Sequence, residues 1–148
     1  MTNHCGTCRA CCRALGVSEL EKPEWQMCSY VDRAVGCQIY DRRPQGCRDY
    51  ACIWLQSQSG ASPLPAKLRP DRCGVVFDSL NAGPERTITA RVPAGVVDRL
   101  EQPLVKAAIT AMVSLGEKVV IRAGTRTSSP VGVTPADHPR AKNIIRGL

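Results

Sequence analysis

Eight of the chain's nine cysteines fall between positions 5 and 52, and no other property limits its fold so sharply. Such a density calls for either disulfides or metal. Disulfide frameworks accumulate in secreted domains and normally use an even number of thiols. This chain has nine, and its opening MTNHCGTCRACCRALG has neither the apolar core nor the cleavage region of an export signal. The expectation is metal ligation in a cytoplasmic, reducing setting. The longest near-apolar run, Ala107 to Leu115, falls well short of the roughly 20 residues that span a bilayer, which predicts no membrane segment.

Spacing divides the thiols into two groups. Cys5, Cys8, Cys11 and Cys12 read CxxCxxCC, and gaps of two residues turn successive thiolates onto one ion or cluster. Cys11 and Cys12 are adjacent; neighbours diverge by about 100° on a helix and face opposite sides on a strand, so both do not easily bind one zinc. Either two sites are served or one thiol is structural. Cys28, Cys37, Cys47 and Cys52 are too far apart to fold locally as a knuckle, which predicts that they arrive from separate loops around the N-terminal turn. Four thiolates suit zinc and iron-sulfur clusters alike, while consecutive two-residue gaps are a habit of cluster proteins. Zinc and an iron-sulfur cluster both stay open, as does the pairing of cysteines to sites. Cys73 reads as a buried strand residue with ligation as the alternative, and His4 and His138 read as solvated.

A run of Ser, Gly and Pro at Ser57 to Pro65 marks a compositional boundary, and five of the six aromatics precede it. The expected class is α+β: a small, irregular, metal-stabilised cysteine-rich module over 1–58, then a small antiparallel sheet with one packed helix over 66–122, then an irregular tail over 123–148. A module of about 58 residues is near the size at which a hydrophobic core alone is marginal, so metal bonds would supply folding free energy. In the second part, Cys73 to Leu80 and Arg86 to Val92 read as strands joined by a hairpin loop at Asn81 to Glu85. Pro103 opens a helix running to Leu115, with Leu104, Ala108, Ala111 and Leu115 as its inner face and Gly116 to stop it. Lys118 to Arg122 reads as a third strand, and Ala141 to Arg146 as a short helix in the tail.

The chain carries 20 basic and 13 acidic residues, a formal charge of +7. That balance invites a nucleic-acid partner. Most of the excess lies outside the cysteine-rich part, and a zinc or an oxidised four-iron cluster on four thiolates is a net −2 unit, so bound thiolates would offset much of it. Arg122, Arg126, Arg140, Lys142 and Arg146 make the C-terminal part basic, but no stacking platform or recognition helix accompanies them, which makes nucleic acid an unlikely partner. A protein partner for the α/β unit stays open. No acid pair, Ser-His-Asp set, Walker loop or GxGxxG cradle is present, so hydrolase and nucleotide-binding classes lack their residues.

CGTCRACC at Cys5 to Cys12, a mid-chain cysteine, and GCQIYDRRPQGCRDYACIWL at Gly36 to Leu55 together resemble the CxxCxxCC (YkgJ-like) cysteine-cluster family. The resemblance covers roughly residues 4 to 77. It rests on all eight cysteines through Cys52 and on Tyr40, Arg43, Pro44, Arg48 and Tyr50. It implies zinc or iron-sulfur chelation through those cysteines, without a settled reaction for the family. The flagellin lysine methylases carry a similar cluster on a longer chain, so a redox or group-transfer enzyme is the alternative to a binding protein. Arg42, Arg43 and Arg48 flank the second cysteine group, where guanidinium donors stabilise thiolate charge. Tyr40, Tyr50 and Trp54 serve either to shield a cluster from water or to pack the module's core.

Overall fold

The computed structural model describes residues 5–82 and 85–127. Its best-ordered logic lies in the second half, where polar and apolar residues alternate. Strands β3 (Val76–Ala82), β4 (Glu85–Val92), β5 (Lys118–Ala123) and β6 (Arg126–Thr127) form one sheet in that order. Successive strand side chains point to opposite faces. Phe77, Ile88, Ala90, Val92 and Val119 therefore share one core with helix α5 (Pro103–Ser114), while Val76 joins a second cluster with Ala14, Cys52 and Leu55. The sheet is thus a middle layer, with α5 on one side and the cysteine-rich segment on the other.

That segment is built from pieces of one turn or little more: helices α1 (Ala10–Ala14), α2 (Gln45–Asp49), α3 (Ile53–Ser57) and α4 (Pro70–Cys73), and a two-stranded ribbon of β1 (Val31–Asp32) and β2 (Gly36–Cys37). None of these is stable alone, since helices this short do not repay their nucleation cost. Trp54 packs against both apolar clusters, and its indole N–H donates to the Pro65 carbonyl at 3.1 Å.

The mixed α+β class agrees with the sequence, with four differences in detail. The sheet is mixed, not antiparallel: β3 and β4 pair antiparallel as the hairpin predicts, but β4 and β5 run parallel, from Thr87 opposite Lys118 to Val92 opposite Ala123. A helical crossover between the two strands returns the chain to its starting end, which makes the next strand parallel. Ala123 to Thr127 continues the sheet through the β5–β6 pairing, where a tail was expected. Cys73 ends α4, and Gly74, at φ 76°, caps that helix in the left-handed region, so the strand begins at Val76. Finally, the inner stripe of α5 is Val105, Ala108, Ile109 and Met112, whereas Leu104 is 37% and Leu115 83% exposed. PLVKAAITAMVSL is apolar nearly all round, so periodicity offers two stripes, and the sheet takes the one carrying β-branched Val105 and Ile109. The expected turn residues Gly83 and Pro84, His4, His138 and the helix at Ala141 to Arg146 lie outside the described residues.

Candidate metal centre

Cys5, Cys8, Cys11, Cys12, Cys28, Cys37, Cys47 and Cys52 all line one cavity of about 560 Å³. None forms a disulfide. Local backbone chemistry gathers them. The Cys8 N–H donates to the Cys5 carbonyl at 3.1 Å, closing the turn that leads into α1, which carries Cys11 and Cys12. The Cys28 N–H donates to the Cys12 carbonyl at 3.1 Å, tying the mid-chain loop to that helix. Cys37 comes from β2, Cys47 from α2, and Cys52 sits immediately before α3. The second group was expected from separate loops around the N-terminal turn; its members come from separate places along the chain, but Cys37 lies in a strand and Cys47 in a helix.

The thiols face a common space without being drawn together. Among the described residues, no three Cys, His, Asp or Glu side chains already stand in a metal-holding arrangement. Sulfurs around one zinc lie about 2.3 Å from the ion and hence roughly 3.8 Å from each other. Ligation therefore requires the short elements of this segment to close inward. The donor set itself suits a soft transition ion or an iron-sulfur cluster in both number and kind.

Electrostatics divide the eight thiols. Burial raises Cys5, and the neighbouring Cys8 and Cys12 add to it; burial raises Cys52, with Cys5 and Cys8 contributing. Burial also raises Cys47, this time with Cys12 and Cys28 as the thiolate neighbours. Cys5, Cys8 and Cys52 thus act on one another as one group, and Cys47 with Cys28 and Cys37 as a second, with Cys12 acting on both. The adjacent pair is in contact, contrary to the divergence expected of helical neighbours: a hydrogen bond from Cys11 to Cys12 lowers Cys12, helped by Arg9 and Lys22, and raises Cys11.

Cationic groups stand among these thiols. Arg43 lines the cavity, donates from Nε to the Tyr40 carbonyl at 2.8 Å and stacks its guanidinium 3.7 Å from the Tyr40 ring centroid. Tyr40 also lines the cavity, but Arg42 and Arg48 do not form part of its wall; Arg48 donates to the Arg43 carbonyl at 2.8 Å and so steadies that loop. Three cavity cations, Arg9, Lys22 and, on the sheet, Arg91, escaped the sequence reading. Arg9 donates to the Gly6 carbonyl at 2.6 Å and packs its guanidinium against Gly36, which has φ 92° and no side chain to block it. Lys22 is buried in the cavity wall, its Nζ donating to the carbonyls of Arg13 and Leu15 at the end of α1 and to that of the adjacent Pro23.

The sheet contributes the remaining wall. Asp78 on β3 and Arg91 on β4 point away from α5, and Arg91 Nε donates to Asp78 Oδ2 at 2.5 Å. Tyr50 O–H donates to the same oxygen at 3.4 Å. Arg91 and Arg122 are direct partners in the β4–β5 register, a like-charge pairing that would be unfavourable alone. Glu24, from the cysteine-rich segment, meets both, at 3.6 Å from Arg91 and 2.7 Å from Arg122. These ion pairs fasten the cysteine-rich segment to the sheet.

Cys73 stands apart from the cavity. It is 3% exposed, and its S–H lies 3.4 Å from the Val75 carbonyl and 3.5 Å from that of Leu68, as a structural thiol would. Among the described residues, no helix is long and apolar enough to cross a membrane. The chain matches no protein-family model, no curated protein and no solved structure.

Proposed function

We propose that this chain is a metal-binding protein that chelates zinc or an iron-sulfur cluster through Cys5, Cys8, Cys11, Cys12, Cys28, Cys37, Cys47 and Cys52. One observation carries the reading: eight unpaired cysteines, from segments spread over nearly fifty residues, line a single cavity. Small apolar thiols filling a core would not all border one open space, and four cationic side chains, Arg9, Lys22, Arg43 and Arg91, border it with them. Such charge favours thiolate over thiol and hence favours ligation. The motif resemblance through Cys52 points the same way. Free thiols also favour a reducing, cytoplasmic compartment.

The number of thiols, eight against the four that complete one zinc site or one four-iron cluster, favours two sites over one. Ligation would draw the short elements together and supply the folding free energy that they lack individually. The cavity's size favours a second reading as an iron-sulfur-dependent redox or group-transfer enzyme, because about 560 Å³ falls in the range of small-molecule sites. The test is Cys8→Ser and Cys47→Ser, each purified anaerobically and assayed for bound metal per chain. The proposal expects each variant to lose metal and to expose the segment around 5–55 to proteolysis. Unchanged metal content and an unchanged melting profile in both would overturn it.

A further inference from the structure

Asp78 is 3% exposed, and only one of its two carboxylate oxygens is used. Oδ2 accepts from Arg91 and from Tyr50, while Oδ1 is buried with no hydrogen-bond partner among the described residues. A buried, unpaired carboxylate oxygen is costly and persists in a native structure for a reason. Anchoring Arg91 does not supply that reason, because Oδ2 already does so. The orphaned oxygen belongs to a residue of the cavity wall, in the same cavity as the eight cysteines. Tyr50 bridges the two: its phenol donates to Asp78, and its ring packs against the cluster of Ala14, Cys52, Leu55 and Val76, which Cys5 also borders. Asp78 therefore stands on the side of the cavity that carries Cys5 and Cys52.

We propose that Asp78 is an oxygen ligand on this side of the cavity, giving the site for a divalent transition ion a mixed sulfur and oxygen donor set. The inference rests on the reading that the cysteines bind metal. The surrounding pairs suit the role: Arg91 and Tyr50 hold Oδ2, which fixes the carboxylate plane and leaves Oδ1 for the ion, as outer partners of ligating carboxylates do. A carboxylate among thiolates is a harder donor, and it favours zinc or iron over a softer ion such as Cu(I).

Cobalt(II) and cadmium-113 are the probes. The full chain, freed of metal and reloaded with cobalt, is compared with Asp78→Asn by visible absorption and by competition for the ion. The expected result is a shift of the cobalt ligand-field bands and an affinity loss of about tenfold or more in Asp78→Asn. An identical spectrum and affinity, with only a lower melting temperature, would make Asp78 a structural partner of Arg91 and overturn the inference. Should Asp78→Asn fail to fold, the unaltered protein loaded with cadmium-113 decides. A resonance displaced upfield of the all-sulfur position supports the oxygen donor, and only all-sulfur resonances refute it. Failure of the unaltered chain to take up either ion would refute the metal-binding reading itself, a result distinct from uptake without oxygen ligation.

Discussion

Replacing Arg91 with methionine removes a guanidinium from between two carboxylates while preserving most of its volume. In the native structure the Arg91 side chain is 10% and that of Asp78 5% exposed, and they meet at 2.5 Å. Deleting one partner of a buried pair leaves the other charged and unsolvated, which typically costs about 3–5 kcal/mol. Two features place this case at the lower end: relief of the cross-strand repulsion with Arg122, and the Glu24 to Arg122 pair, which survives at 2.7 Å. We expect about 3 kcal/mol, or a fall of roughly 6–12 °C in melting temperature for a chain of this size. The pH dependence gives a second reading of the same cause. Burial already holds the Asp78 carboxyl above its ordinary range despite Arg91, and removing Arg91 raises it further. Folded Arg91→Met then takes up a proton more readily than its unfolded chain, so its deficit is full at neutral pH and shrinks as pH falls through that raised value. Denaturant titrations of both proteins at pH 7 and pH 5 measure this. A deficit under 1 kcal/mol, or one that grows on acidification, would refute the reasoning. The double variant Asp78→Leu with Arg91→Met should recover much of the loss, because an apolar pair leaves no unpaired charge.

Other expectations follow from the same geometry. Gly36→Ala forces a Cβ into the Arg9 guanidinium at φ 92°, and should cost about 1–3 kcal/mol in a denaturant melt. Ile109→Ala, at a position 2% exposed, should cost about 2–5 kcal/mol, whereas Leu115→Ala, at 83%, should stay within about 0.5 kcal/mol; the reverse order would show the α5 face to be misassigned. Burial raises the thiols of Cys5, Cys8, Cys47 and Cys52, so binding must displace protons and affinity must rise with pH, which calorimetry in buffers of different ionisation enthalpy detects as proton release. Cys73→Ala should leave the metal content unchanged, and a lost equivalent of metal would make Cys73 a ligand.

The parts legible in the sequence are those set by local rules. Thiol spacing named the cavity's cysteines, and alternation of β-branched with polar residues over Arg86 to Val92 named β4 and its hairpin partner. What escaped was decided by long-range packing. Asp78 and Arg91 occupy polar positions of strands and so read as solvent-facing, but the cysteine-rich segment covers that face and turns them into cavity wall. Lys22 looks like one surface lysine among many until the end of α1 offers it two carbonyls, those of Arg13 and Leu15. The parallel pairing of β5 depends on the return path of α5, which no window of sequence around Lys118 encodes. For α5 itself, a nearly uniform apolar composition gives periodicity no contrast to work with.

The most direct test of the account is elemental analysis with visible spectroscopy on the intact protein, purified without oxygen and followed by thiol titration. The account predicts at least one equivalent of zinc or iron per chain, brown with broad absorption near about 400 nm if the iron is clustered and colourless if the ion is zinc, with the eight cavity thiols becoming titratable only after a chelator strips the metal. A protein that emerges metal-free, with all its thiols titrating at once or joined as disulfides, would contradict it.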